Sequence, residues 1–519
     1  MNADPLELIG ILVACGAAAT AILVEDRRIR LAAMCIALAA APILVLGDVW
    51  DEPRVEDFRS SPGQIGLAVV VGGAALALLL TLFHRWPEAF PIAAFALLPI
   101  RVPVEIGGET ANLLVPLYLV IAAQVIHMVQ MWWGATATGH PPPEASPVRS
   151  GDAPAVAHSS QPPSADARSP SLTPWVLRLR WLLAATLVVY AVQASYSEDV
   201  SNAIENIGFF LVPFGVLFVL LSEVRWTRRL LGHMLVAVGA VAGAVAVVAL
   251  YQYAARDLFL NPELFDANQL HLYFRVNSIF FDPNILGRYL ALAITALAAY
   301  LAWSEYGRGP LAAEVACAVA LAGLALSYSI TSFAALLAGL AVVALLRWTW
   351  RGAIAAGGMA AVALVALVLT GGTPSSDIQS DREFDSGRSD LIEGGLELAE
   401  DRPVGGWGAG SFGAAFVGEI DPKARSAISH SEPITVGAEQ GGVGLVVYAA
   451  FVVVALFTVL GGGAGGSVPR TAVAACFVAM LVHSLGYAGF AIDPVVWALL
   501  GLGVALRRDP PEASATIPS

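Results

Sequence analysis

Lysine is almost missing from this chain. Lys423 is the one example, and Lys and Arg together number 28 against 41 Asp and Glu, a formal charge of −13. That balance argues against nucleic-acid binding, which needs a basic face to replace phosphate counterions. Charge of either sign is scarce too, at 13% of 519 residues, too little to clothe the three or four soluble domains this length would otherwise suggest. The four cysteines, Cys15, Cys35, Cys317 and Cys476, each lie inside an apolar run, so neither a disulfide framework nor a clustered metal site follows. A Walker loop, a His-Glu-x-x-His pair and a carboxylate cluster suited to a divalent metal are also lacking, so no metal and no cofactor is expected.

Apolar sequence is what the chain has. It is 57% hydrophobic with a mean hydropathy of +0.71, and its continuous apolar runs are near the length that crosses a bilayer as a helix. Barrel strands would alternate polar and apolar residues instead. The expected fold is all-α, a polytopic transmembrane bundle of about 12–15 spans. Candidate spans cover about 6–24, 29–47, 64–84, 88–100, 111–133, 176–195, 207–222, 230–253, 282–303, 311–327, 330–346, 352–370, 443–460, 471–490 and 494–506, the fourth and last being short enough to be re-entrant. Met1 to Pro5 is acidic rather than basic, so the first run is expected to be a retained helix, not a cleaved signal.

Arginine sets the expected sidedness. Arg27/Arg28/Arg30, Arg178/Arg180, Arg225/Arg228/Arg229, Arg347/Arg351 and Arg507/Arg508 fall on one side of the alternation, which the positive-inside rule makes cytoplasmic. The chain then divides into N-terminal helices (1–133), a cytoplasmic linker rich in Pro, Ser and Ala (134–174), a transmembrane core (175–370), an extracytoplasmic loop carrying short helices (371–442), C-terminal helices (443–506) and a cytoplasmic tail (507–519). The linker cannot bury enough apolar surface to fold and is expected to be disordered. Fifteen spans would place the chemistry on the outer face of a plasma (inner) membrane.

Four arginines, one histidine and one glutamate stand out on that face. A short helix is expected to start at Asp385 or Ser386 and to end near Pro403. Arg388 then falls in its first turn, where the helix dipole disfavours a cation by about 0.3–1 kcal/mol. An ion pair with Asp385 or Asp390, or an anionic substrate, would offset this. Pro433 suits the first turn of the next helix, with Ser431 or Glu432 as N-cap, so His430 sits just outside a helix N-terminus that favours neutral imidazole. Glu439 lies less than two turns further on in the same helix, and Gly437 and Gly441 would let another helix approach. Arg275 precedes the span that carries Arg288, and Arg101 follows the short fourth span. Each could snorkel or face a cavity. Ser327-Tyr328-Ser329 reads as a tight turn, and His483 and Asp493 as a structural polar pair.

These residues fall in motifs that resemble the superfamily of O-antigen ligases and polymerases, integral membrane glycosyltransferases. The resemblance covers about Tyr196 to Leu506. It is carried by Phe280-Phe281-Asp282-Pro283-Asn284-Ile285-Leu286-Gly287, by Gly387-Arg388 through Pro403-Val404-Gly405-Gly406-Trp407-Gly408-Ala409-Gly410-Ser411-Phe412, and by His430-Ser431 followed by Glu439-Gln440-Gly441-Gly442-Val443-Gly444. It implies a metal-independent ligase or polymerase of surface polysaccharide assembly. The donor would be a glycan on a polyprenyl diphosphate of the undecaprenyl type, and the acceptor a saccharide or a lipid-linked glycan. Arg388, Arg275, Arg288 and Arg101 would hold the diphosphate, His430 would assist the acceptor, and Glu439 would orient the imidazole or contact the acceptor. The chain departs from the family pattern with Ser431 where His-Asn is commoner, and with Gln440. The alternative within the resemblance is transport of small anions.

Overall fold

The computed structural model describes residues 4–106, 109–137, 173–259, 273–305, 307–371, 380–422, 424 and 429–508. The linker expected at 134–174 and the tail at 507–519 lie almost wholly outside these.

The bundle opens with α1 (Pro5–Leu23) and α2 (Arg27–Asp48), followed by the surface helix α3 (Pro53–Ser60) and by α4 (Pro62–Arg85). Asp4 and Asp26 cap the first two through side-chain bonds to backbone amides. The fourth predicted span shortens to α5 (Ala89–Leu97), nine residues that reach only about 14 Å. An antiparallel hairpin follows, β1 (Val102–Ile106) with β2 (Glu109–Leu113), in register from Val102 opposite Leu113. Apart from this hairpin the described residues form the all-α bundle that the sequence predicts. Val102, Val104 and Ile106 suit a strand. Next come α6 (Val115–Ala137), α7 (Pro174–Ala194) and α8 (Val200–Glu205), the last running through a π-helical turn at Asn206–Leu211 into α9 (Val212–Ser222). Then follow α10 (Arg228–Ala255), α11 (Pro283–Leu301), α12 (Arg308–Ser327) and α13 (Ile330–Gly371).

α13 merges two predicted spans. The turn expected at Arg347 to Arg351 does not form, because Leu345 to Arg351 contains no proline or turn pair, and a single Gly352 is tolerated within a helix. The long loop holds the amphipathic α14 (Ser380–Asp401), the single turn α15 (Phe412–Ala415) and a π turn at Phe416–Ile420. The chain closes with α16 (Glu432–Leu460), α17 (Val468–Ser484) and α18 (Pro494–Arg508). Among the described residues eleven helices are long and apolar enough to cross a membrane. The shorter α17 and α18 complete the polytopic bundle.

Helix packing sorts the spans by environment. The best-buried windows are Val200–Ser222 and Pro283–Leu301, each 78% inside the protein, whereas Pro62–Arg85 has none of its window buried and is lipid-facing in character. α11 packs on α12, α13 and α17, while α16 packs on α7 and α14. The arginine-rich turns gather at one end. There Arg30 pairs with Glu223, Arg180 lies 3.9 Å from Glu25, and Arg470 donates to the carbonyls of Gly461 and Gly462. The polar groups described next lie at the other end.

Candidate active site

The N-terminus of α11 is where the site begins. Asp282 caps it, its Oδ1 accepting from the Asn284 amide at 2.6 Å. The strand-like segment before it carries Arg275, whose Nε donates to the Ser327 carbonyl at 3.0 Å and whose Nη2 lies 3.4 Å from Asn284 Oδ1. That segment is fixed at Ser278 (φ 53°), whose amide donates to Gln252 Oε1 and whose hydroxyl donates to the Val245 carbonyl. Arg288, one turn into the helix and 6% exposed, pairs at 2.6 Å with Asp493, 4% exposed. Arg101 faces the same cleft, its guanidinium 5.6 Å from the Phe281 ring. Leu98, Ile285, Tyr289 and Val495 supply the apolar walls. Arg101 and Arg288 against Asp493 leave a net positive charge there.

A second segment brings His430 to this place. α16 starts at Glu432 with Ser431 as N-cap and Pro433 in the first turn, as the sequence predicts. His430 is half-buried with φ 56°, a left-handed conformation in which histidine is enriched over most side chains. Ser429 holds the turn, its hydroxyl accepting from the Ser431 amide and donating to the Ser431 carbonyl. Glu432 then ties this segment to the α17–α18 connection. Its carboxylate accepts from the amides of Gly489 (2.6 Å), Phe490 (2.9 Å) and Ala491 (3.3 Å).

That connection carries Tyr487, which joins the parts. Its hydroxyl donates to Asp282 Oδ2 at 2.8 Å. Its ring centre lies 6.2 Å from that of His430, 5.7 Å from that of His483, and 5.7 Å from the Arg288 guanidinium carbon. Burial, then the adjacent Asp282 carboxylate, pushes the phenol well above its ordinary range, so it remains a neutral donor. α17 ends at Ser484, not near 490 as the hydropathy predicts, because Gly486 and Gly489 interrupt the run. Sequence reasoning missed Tyr487, and took Glu432 only as an alternative N-cap rather than as the tie to the α17–α18 connection. The available signals were a lone tyrosine between two glycines and a glutamate directly before a helix-starting proline.

Other predicted residues fall elsewhere. Glu439 is 8% exposed and both its oxygens are taken up by backbone, accepting from the amides of Gly410 (3.0 Å) and Phe412 (3.1 Å). The structure shows it anchoring the glycine-rich loop and gives it no bond to His430. Gly406 (φ 68°) and Gly408 (φ 102°) need both their conformation and their missing side chain. A Cβ would lie 2.3 Å from the Glu439 carbonyl oxygen in the first and 2.3 Å from Ser197 Cα in the second. Gly441, at φ 59° and ψ −160°, breaks α16 into two helices and admits the Val404–Gly406 backbone.

Arg388 is not in a first turn, since α14 already begins at Ser380. The dipole argument for a bound anion therefore lapses, and the Arg388 side chain lies outside the described residues. His483 and Asp493 do not satisfy one another. Asp493 pairs with Arg288, and His483 Nε2 lies 3.2 Å from Ser332 Oγ. Ser327 to Ser329 is more than a tight turn, because Arg275 and Ser332 bond to it.

The O-antigen ligase family model matches residues 315–449, a segment that contains α14, the glycine-rich loop, His430 and Glu439. The match bears out the superfamily resemblance: this segment is similar to the O-antigen ligase family. No curated protein matches the chain.

Proposed function

We propose that this protein moves a glycan from a polyprenyl-diphosphate donor to a saccharide or lipid-linked acceptor at the outer face of the plasma membrane. One observation carries the reading: His430 and Arg288 flank the same tyrosine, Tyr487, with Arg275 and Arg101 beside them at the capped start of α11. A helix N-terminus surrounded by guanidinium groups favours a polyanion.

The chemistry follows from charge and proton balance. The acceptor hydroxyl attacks the anomeric carbon as the bond from that carbon to the diphosphate oxygen breaks. Arg288, Arg101 and Arg275 hold the charge that develops on the leaving diphosphate, the largest electrostatic demand of the step. The acceptor proton passes to neutral His430. A single displacement inverts the anomeric centre. Tyr487 and Glu432 keep base and arginines in register, and Glu439 acts at one remove by holding the glycine-rich loop. Arg388 remains a candidate diphosphate ligand from its motif alone.

Lipid-linked glycans in a strain lacking the gene test this reading. Accumulation of diphosphate-linked repeats is expected. Normal glycans with altered uptake of small anions would instead establish the transport alternative.

A further inference from the structure

The polar site borders an aromatic surface that no step of the proposed transfer uses. Tyr273 and Tyr328 stack with ring centres 4.4 Å apart and planes inclined by 26°. Tyr328 is 40% exposed, so one ring face is covered by Tyr273 while the outer part of the pair stays open. Beside them, Arg256 lies over Tyr253 at 4.2 Å and over Phe274 at 5.4 Å. Tyr328 and Arg256 are the C-caps of α12 and α10 and hold, at φ 51° and 55°, the left-handed backbone with which helices commonly end.

Two covalent connections and two hydrogen bonds join this surface to the site. Tyr273 and Phe274 immediately precede Arg275, and Tyr328 follows Ser327, the residue whose carbonyl accepts from Arg275. The Val276 amide bonds to the Leu326 carbonyl in the same place. We propose that the Tyr273–Tyr328 pair is a saccharide-binding platform, on which a pyranose of the glycan substrate stacks while a neighbouring sugar occupies the site, with Arg256 available to acidic sugars. The inference rests on the glycan-transfer reading. A pyranose presents a flat face of C–H groups edged by hydroxyls, which an exposed phenol ring with a polar rim complements. The platform extends the contact with the chain of sugars without touching the reacting atoms.

The test uses full-length protein in nanodiscs and, as probe, the delipidated surface polysaccharide of the producing cells. Saturation-transfer NMR with aromatic irradiation should label pyranose ring protons. Tyr328→Asn keeps a residue tolerant of left-handed backbone but removes the ring, and Tyr273→Leu removes the other ring. Each should cut the transferred saturation at least about 5-fold, whereas Tyr328→Phe should retain it. In glycan transfer, the ring-less variants should raise KM for the glycan by about the same factor with kcat preserved. Unchanged saturation and KM in both ring-less variants would overturn the platform and assign the tyrosines to membrane anchoring. Active transfer without labelling of wild-type protein overturns the platform alone. Absence of transfer under the same conditions overturns the proposed function as well.

Discussion

Replacing Glu439 with Gln separates an anchoring role from a catalytic one. The wild-type carboxylate accepts from Gly410 and Phe412 amides at 3.0 and 3.1 Å while 8% exposed. Glutamine offers one acceptor oxygen and sets an NH2 group against the other amide, so one charge-assisted bond is lost and one buried donor is orphaned. Such a loss costs about 2 kcal/mol, roughly a 30-fold change in a local opening equilibrium. The Gly410 and Phe412 amides should therefore exchange with deuterium about 30-fold faster in Glu439→Gln, when measured in nanodiscs. Amides in α11 should keep their wild-type protection. Turnover should fall with the loop's order. Wild-type exchange at both amides combined with abolished turnover would refute the reasoning and place Glu439 on the acceptor.

Other outcomes test the remaining parts of the site. Asp493→Asn leaves the buried Arg288 without its anion and should destabilise the protein by about 3–5 kcal/mol, while Arg288→Met with Asp493→Leu should recover stability in thermal unfolding but not turnover. Unchanged stability of Asp493→Asn would show that the pair is not buried as described. Tyr487 has its phenol value raised above about 10 in the folded state only. Its contribution to stability is therefore full below that value and lost as pH climbs towards the folded one, and Tyr487→Phe should flatten this alkaline decline. The proposed transfer uses arginines to hold the leaving diphosphate, so turnover should survive excess chelator; rescue of a chelated enzyme by magnesium or manganese would reveal a missed metal site. Single cysteines at Asp421 and at Arg228, in a cysteine-free background, should react with an impermeant thiol reagent from outside and not from outside, respectively. The reverse pattern would move the site to the cytoplasmic face.

Much of the architecture is legible in the sequence because lipid imposes a simple rule on it. Apolar runs near 20 residues give most spans to within a few positions, and Ser431 with Pro433 fixes the start of α16. The rule fails where backbone behaviour depends on partners. α13 runs through Arg347 to Arg351 without turning, and α14 starts at Ser380, ahead of the capping residues Asp385 and Ser386. Site residues divide in the same way. Arg275, Arg288, Arg101 and His430 are visible as polar groups that stand out in an apolar sequence. Tyr487 hides among apolar residues, and its role exists only when α11, α16 and the α17–α18 connection meet. Glu439 shows the converse: a carboxylate near a histidine in sequence whose oxygens the fold directs to a neighbouring loop.

The most direct measurement is transfer by the purified protein in proteoliposomes, supplied with lipid-linked glycan extracted from cells lacking the gene. Wild-type protein should release polyprenyl diphosphate in step with glycan appearing on the acceptor, and His430→Ala should slow both by about 10²–10⁴-fold while donor binding is retained. Release of no polyprenyl diphosphate by wild-type protein, or equal rates for wild type and His430→Ala, would contradict the account.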